Sequence, residues 1–415
     1  MLDSYMGEFL ISPIPMELSL HYCSMSCPYC FANLNNRRRR ADVPALLRLI
    51  EGFEERKTLV AHWLQAGYPI CFSNRVDPFA TSNIRDSLAL IEAANRRGLR
   101  LQFQTRGAHE RHTAAMYEVI ATLPYPAVWY LTIEMWDDAI RQQVAPAAPS
   151  IPSRWELVAR LLSAGHTVVV GVNPVVEEWL PSHDVARLMA VLKAFGVHGV
   201  WAERLHFSRR QVAAMSAREK AALGEAVIGR ARERVIDPTD WVALNGVRQA
   251  ALDAGLEVFS VGQPNRSNFF APYHELYRTI PTMQDFINWC HDHLEGGAWI
   301  AWEAFRDFFV PHLPAGTWPI DAYLGATTHQ LWRTHHVAPQ MSYEQLLAII
   351  WQEPRYKMCP ARLPSFAYAA VETAAGWVRL TDEAGRPYLI WSPEGTHQHY
   401  HVHCETAAGA VLEEV

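Results

Sequence analysis

From residue 16 onward, short apolar runs alternate with longer stretches whose apolar residues return every three or four positions. That alternation is expected where parallel strands are joined by crossover helices. The short runs predict strands over 16–22, 69–74, 100–105, 127–134, 167–173 and 197–203. Helical periodicity between and after them predicts helices over 43–66, 83–98, 111–123, 153–165, 183–195 and 209–235. A further helix over 238–254 and a strand-like run Leu256-Glu257-Val258-Phe259-Ser260 follow. After Gly262 the pattern changes. Residues 263–363 are rich in Trp, His and Pro, with helical stretches near 298–310 and 343–352. Residues 365–413 read as β-hairpins, with Glu383-Ala384-Gly385-Arg386-Pro387 as a turn. The fold class is therefore α/β, divided into 1–262 and a C-terminal α+β region, 263–415.

At 415 residues the chain exceeds one average domain, and half of its residues are apolar, ordinary for an enzyme with a substantial core. A net charge of -6 argues against binding polyanions through the overall field, leaving Arg37-Arg38-Arg39-Arg40 as a local basic patch. No stretch of 18 or more apolar residues occurs, and Met1-Leu2-Asp3-Ser4 opens no basic-then-apolar leader. A cytoplasmic protein with no membrane partner is expected. Seven cysteines, three clustered and four scattered (Cys71, Cys290, Cys359, Cys404), do not read as a disulfide framework.

The clustered three lie in Leu18-Ser19-Leu20-His21-Tyr22-Cys23-Ser24-Met25-Ser26-Cys27-Pro28-Tyr29-Cys30-Phe31, spaced CxxxCxxC. A four-iron, four-sulfide cube takes one thiolate per iron, so three thiolates hold three corners and leave the fourth iron open. Other readings are a partial zinc site completed by His21 or a distant residue, and plain buried thiols. No second CxxC is present to favour zinc. The spacing, with Tyr29 just before the last cysteine and the strand-like Met16–His21 just ahead of the first, resembles the radical S-adenosylmethionine (SAM) superfamily. In that family the amino and carboxylate groups of SAM chelate the open iron, and an electron cleaves the sulfonium to a 5′-deoxyadenosyl radical. The resemblance implies a partial (β/α)6 TIM-type barrel, and the C-terminal region reads most simply as a cap closing its mouth. It also implies a 4Fe-4S cluster on Cys23, Cys27 and Cys30, SAM, and a reductant of flavodoxin or ferredoxin type.

Further segments resemble spore photoproduct lyase-like members in order and spacing over about 14–205. The second strand ends in Ser73-Asn74-Arg75-Val76-Asp77-Pro78-Phe79, similar to their Thr-Asp-Pro-Tyr pattern; the Gly-Gly-Glu common elsewhere in the family is absent. The resemblance places Asn74 and Asp77 near the ammonium of SAM, a charge-assisted contact for Asp77. Asp before Pro is also an ordinary turn former. Gln102-Phe103-Gln104-Thr105-Arg106-Gly107 is similar to their Thr-Lys-Ser segment, making Thr105 a cofactor contact and Arg106 a candidate for a carboxylate or phosphate. Tyr130-Leu131-Thr132-Ile133-Glu134, the proline-rich 147–154 and Ala164-Gly165-His166 follow in the same order. Thr132 or Glu134 would then sit near the ribose hydroxyls, with Tyr29 and Asn173 as further cofactor-binding residues. Polar strand ends also serve as simple caps. Glu203-Arg204 closes the sixth strand as a contact or a structural ion pair.

The substrate class implied by those relatives is a nucleobase, nucleotide or DNA. Arg37–Arg40 would track phosphates, or form a solvated face. Trp289, Trp299, Trp302, Trp318, Trp332 and Trp351 would stack on a base or pack a core. Cys290 is a candidate catalytic hydrogen-atom donor, although a scattered cysteine usually acts as a small hydrophobe. His397-Gln398-His399-Tyr400-His401-Val402-His403 would put four imidazoles on one strand face, a metal site or a solvent-facing strand. Cys290, Cys359 and Cys404 lack the close spacing of an auxiliary cluster. A radical SAM enzyme acting on a peptide or amino acid, and a non-catalytic iron-sulfur nucleic-acid-binding protein, stand as alternatives.

Overall fold

A computed structural model describes residues 6–8, 11, 16–18, 20, 22–30, 41–57, 59–72, 76–205, 207–231, 238–259, 276, 281–319, 340–354, 359–363, 365–393, 401–406 and 409–414. Eight strands form one sheet in chain order: β1 (Met6–Glu8), β2 (Met16–Leu18), β3 (Ile70–Phe72), β4 (Leu101–Thr105), β5 (Val128–Thr132), β6 (Thr167–Val175), β7 (Gly199–Arg204) and β8 (Glu257–Phe259). Strands β2 to β8 are parallel, and β1 pairs antiparallel with β2. Among the described residues no pairing joins β8 back to β1, so this is a partial TIM-type barrel. It holds seven parallel strands, because Glu257–Phe259 adds itself to the six the periodicity assigned to the barrel.

The crossovers are α1 (Val43–Glu51) and α2 (Leu59–Gln65), α3 (Ile84–Arg96), α4 (Thr113–Thr122), α5 (Asp138–Val144) with α6 (Ile151–Ser163), α7 (Ser182–Phe195), then α8 (Arg209–Ala214), α9 (Ala217–Leu223), α10 (Glu225–Gly229) and α11 (Pro238–Asp253). The single helix predicted over 209–235 is three short ones. Ser216 starts α9 through a capping box with Glu219, and Gly224 ends it at φ 82°, a conformation side chains with a Cβ rarely adopt. The helix predicted over 43–66 is likewise two, parted by a 3-10 turn at Phe53–Glu55.

Alternation along the strands sorts the barrel into two faces. Ile70, Phe72, Leu101, Phe103, Trp129, Leu131, Val168 and Val170 face the helices and join Leu46, Leu49, Leu90 and Leu188 in the main core. Cys71, Val128, Tyr130, Val169, Trp201 and Phe259 form a separate cluster on the inner face. Gly171 is required there: a Cβ at this position would stand 2.1 Å from the Trp201 ring.

The C-terminal region holds α12 (Met283–His293), α13 (Trp302–Phe309) and α14 (Tyr343–Gln352). Its sheet, in spatial order, is β16 (Gly409–Glu414), β15 (His401–Thr406), β12 (Phe366–Thr373), β14 (Leu389–Trp391) and β9 (Trp299–Ile300). Strand β13 (Gly376–Arg379) pairs with β12, and a separate ribbon joins β10 (Trp318–Pro319) to β11 (Gln340–Met341). The turn predicted at 383–387 is present, held by the Asp382 carboxylate accepting from the Ala384 and Arg386 amides at 2.9 and 2.8 Å. Tyr343 stacks on Trp63 of α2 at 5.5 Å, and the Met283 amide donates to the Ile11 carbonyl at 2.6 Å. These contacts attach the region to α2 and to the residues that follow β1. Among the described residues no helix is long and apolar enough to cross a membrane.

Candidate active site at the strand C-terminal ends

The cysteine loop leaves β2 and is held by the loops after four other strands. Ser24 and Ser82 bond reciprocally, each amide donating to the other's hydroxyl at 3.1 Å. The Ser82 hydroxyl also donates to the Tyr22 carbonyl at 3.2 Å. Gln211, at the start of α8, donates its amide to the Cys30 carbonyl at 3.3 Å. The Tyr29 hydroxyl donates to Glu134 Oε1 at 2.7 Å, and Arg106 Nη1 donates to Cys27 Sγ at 3.3 Å. Ser26 takes a φ of 46°, and the Ser26 and Cys30 amides close turns onto the Cys23 and Cys27 carbonyls.

The loop is also enclosed by a second apolar cluster, distinct from the main core. Met25, Cys27 and Tyr29 pack with Ala80, Met135, Val144, Ile151, Val176, Trp179, Phe207 and Leu223, drawn from the loops and short helices above the strands. The Tyr29 and Trp179 rings lie 4.7 Å apart. Cys27 is buried, while Cys23 and Cys30 are half-buried. Burial pushes the Cys23 thiol up to about 12, with the Asp77 charge adding to the shift. Burial also raises Cys27, against the opposing pull of Arg106. Because the thiolate is the metal ligand, loading such a loop releases protons, and the Arg106 guanidinium favours that release at Cys27.

Glu134 sits just past the end of β5, fully buried, at the centre of a charge array. Its Oε2 meets Arg154 Nη1 at 2.6 Å, and its Oε1 meets Arg106 Nε at 3.3 Å as well as the Tyr29 hydroxyl. Burial alone would raise the Glu134 carboxyl; Arg154, Arg106 and Tyr29 outweigh it and hold it below its ordinary range. Arg154 is completely buried and also donates to the Thr132 and Pro149 carbonyls at 3.1 and 3.2 Å. Asp77 ties β3 to β4: its carboxylate accepts from Thr105 Oγ1 at 2.8 Å, the Arg106 amide at 2.7 Å and the Phe79 amide at 2.9 Å. Burial raises Asp77 despite those donors.

The residues assigned from the sequence are thus gathered at one end of the sheet, yet several are already engaged within the chain. Asp77 uses three of the roughly four acceptor positions of a carboxylate. Thr105 is spent between Asp77 and the Gly107 amide, and Glu134 lies in the array rather than on a surface. Thr132 is buried beside it. Asn173, on β6, donates to Glu203 Oε2 at 3.3 Å; burial raises the Glu203 carboxyl, with Arg248 opposing. Cys290 lies on α12, fully buried in the main core, its thiol raised by burial. Trp302 and Trp351 are buried in the same core, while Trp299 is exposed. Asn74, Arg37–Arg40, Trp332 and His397–Tyr400 lie outside the described residues, as do the side chains of Trp318, His401, His403 and Cys404.

Arg154 and Trp179 received no role from the sequence. A signal for Arg154 existed: it stands in the first turn of α6, next to the Ser150 cap, where the helix dipole disfavours a cation unless an acid compensates it.

Among the described residues no three His, Cys, Asp or Glu side chains converge to hold a single metal ion. A cluster that takes one thiolate per iron does not require such convergence. Three thiols on one anchored loop, in an apolar enclosure with a guanidinium against one sulfur, fit such a group by donor chemistry.

No family model matches the chain, and no curated protein matches it. Among solved structures it is similar to spore photoproduct lyase complexed with dinucleoside spore photoproduct, at 13% identity and a TM-score of 0.41, over 60% of this chain and 78% of that one. It is also similar to Streptococcus suis SuiB bound to S-adenosylmethionine, at 13% identity and a TM-score of 0.39, over 61% of this chain and 50% of that one. SuiB bound to precursor peptide SuiA matches at 13% identity and a TM-score of 0.34, over 49% of this chain and 40% of that one. The chain thus spans about half the length of SuiB.

Proposed function

We propose that this chain is a radical SAM enzyme whose substrate is a nucleobase, a nucleotide or modified DNA. The observation that carries the reading is the CxxxCxxC loop at the C-terminal end of the first parallel strand of an open α/β barrel. Cys23, Cys27 and Cys30 would hold a 4Fe-4S cluster. Such a cluster, when bound, supplies the electron that cleaves SAM reductively to a 5′-deoxyadenosyl radical.

The chain's own residues have three tasks in this reading. The anchored loop presents the thiols in fixed relation to the strand ends, which serves as a proximity effect. The apolar cluster around Met25, Tyr29, Met135 and Trp179 excludes water from the site. The polar strand ends Asn173 and Glu203 supply donors and acceptors for a polar ligand, while Asp77 and Thr105 hold β3 to β4 beside them. The nucleic-acid substrate class is supported by the spore photoproduct lyase-like pattern around Asp77-Pro78-Phe79 and the proline-rich 147–154.

Anaerobic reconstitution with iron and sulfide, followed by reductant and SAM, tests the reading. About four irons per chain and reductant-dependent release of 5′-deoxyadenosine are expected. Cys27→Ala should abolish both. A wild-type chain that builds the cluster but never cleaves SAM overturns the enzyme reading in favour of an iron-sulfur binding protein. Deuterium transferred from a labelled nucleoside into 5′-deoxyadenosine supports the substrate class; transfer only from a peptide or amino acid overturns it.

A further inference from the structure

We propose that Arg106 is a positioning residue that sets the reduction potential of the group bound by the cysteine loop, acting through Cys27. The inference rests on the cluster reading above. Arg106 is mostly buried, and its guanidinium is divided between two partners: Nη1 donates to Cys27 Sγ at 3.3 Å, and Nε faces Glu134 Oε1 at 3.3 Å. Its carbon lies 5.4 Å from the centre of the Tyr29 ring, which limits its swing. The orientation is set from behind. Arg154 takes the other Glu134 oxygen at 2.6 Å, so the carboxylate is fixed and cannot follow Arg106 away from the sulfur.

Charge accounting sharpens the assignment. Arg106 and Arg154 stand against two buried carboxylates, Glu134 and Asp77, so the array is balanced before anything is bound, and Cys27 Sγ is a further acceptor for Arg106. A thiolate-bound, negatively charged group would place its charge directly beside the Arg106 guanidinium. Hydrogen bonds and net charge around the sulfurs are the levers that move an iron-sulfur potential. A cation donating to a ligand sulfur stabilises the reduced, more negative state, so Arg106 raises the potential. Lysine would keep the charge but lacks the fork that reaches Cys27 and Glu134 together.

The test is the midpoint potential of the reconstituted protein, measured by spectroelectrochemistry or by the electron paramagnetic resonance signal of the reduced form. Arg106→Gln is expected to move the potential to more negative values, and Arg106→Lys to fall between it and the wild type. Circular dichroism confirms that each variant is folded; if Arg106→Gln does not fold, Arg106→Lys against the wild type decides. Coincident potentials in loaded wild-type and variant proteins overturn this inference while leaving the cluster reading intact. A wild-type protein that takes up no cluster overturns both.

Discussion

The strand C-terminal ends and the C-terminal region are both densely buried, but they are held together by different physics. Around Cys27 the interior is ionic: Arg106, Glu134, Arg154 and Tyr29 form one connected array, and Asp77 stitches β3 to β4 beside it. In the C-terminal region the interior is aromatic. Phe286 meets Phe305 at 5.3 Å, Phe305 meets Phe309 at 4.9 Å and Trp351 at 5.1 Å, and Phe366 meets Trp391 at 5.5 Å. A buried ion pair is weak evidence for stability, since an apolar replacement of the same volume often serves as well. Its use at the strand ends is therefore better explained by what is to be placed there than by holding the fold, and the aromatic interior bears the reverse reading.

The comparison is broken most directly at Arg154. Arg154→Leu leaves Glu134 without its closest cation and should cost about 3–5 kcal/mol in chemical denaturation. Adding Glu134→Gln to the same chain should recover part of that loss, because the uncompensated charge is gone; no recovery would mean that Arg154 acts only by filling space. Phe305→Ala should cost a similar ~3–5 kcal/mol through the cavity it leaves, and no second charge change should rescue it.

A smaller effect is expected at Tyr29. Tyr29→Phe removes one hydrogen bond to a buried carboxylate and should destabilise by about 1.5–3 kcal/mol, read as a shift of the denaturation midpoint. The pH dependence sharpens the contrast further. The Glu134 carboxyl is held below its ordinary 4.5, so its stabilisation is complete above that value and is lost as the pH falls through the lowered folded value. The deficit caused by Glu134→Gln should therefore shrink on acidification, whereas that caused by Phe305→Ala should stay constant. Equal pH profiles for the two variants would remove the distinction. The smallest effect belongs to the β12–β13 hairpin, where Trp377 is exposed: Trp377→Ser should change stability by no more than about 0.5 kcal/mol.

Most of the barrel was legible because each strand's alternation and each helix's periodicity are local. The predicted strands at 100–105, 127–134 and 167–173 lie within two residues of Leu101–Thr105, Val128–Thr132 and Thr167–Val175 at each end. The local signal failed where an element is short or its boundary depends on one residue. β1 has three residues and exists through its pairing with β2. α5, seven residues long, lies between the predicted strand 127–134 and helix 153–165, where the periodicity assigns no element. The three-way division of 209–235 hangs on Ser216 and Gly224.

The sequence by itself determined the order of strands and helices, the three cysteines on one loop after the first parallel strand, and the polar residues due at the strand ends. These follow from spacing and periodicity, which are properties of neighbouring residues along the chain. Only the tertiary structure decided which of those polar residues are used up inside the protein. Asp77 and Glu134 are separated in sequence from the groups that bind them, Glu134 by 105 residues from Tyr29 and by 20 from Arg154. Tertiary structure likewise decided that an arginine stands against Cys27. Partners so distant meet only when the sheet brings its strand ends together, and no local pattern records which donor reaches which acceptor.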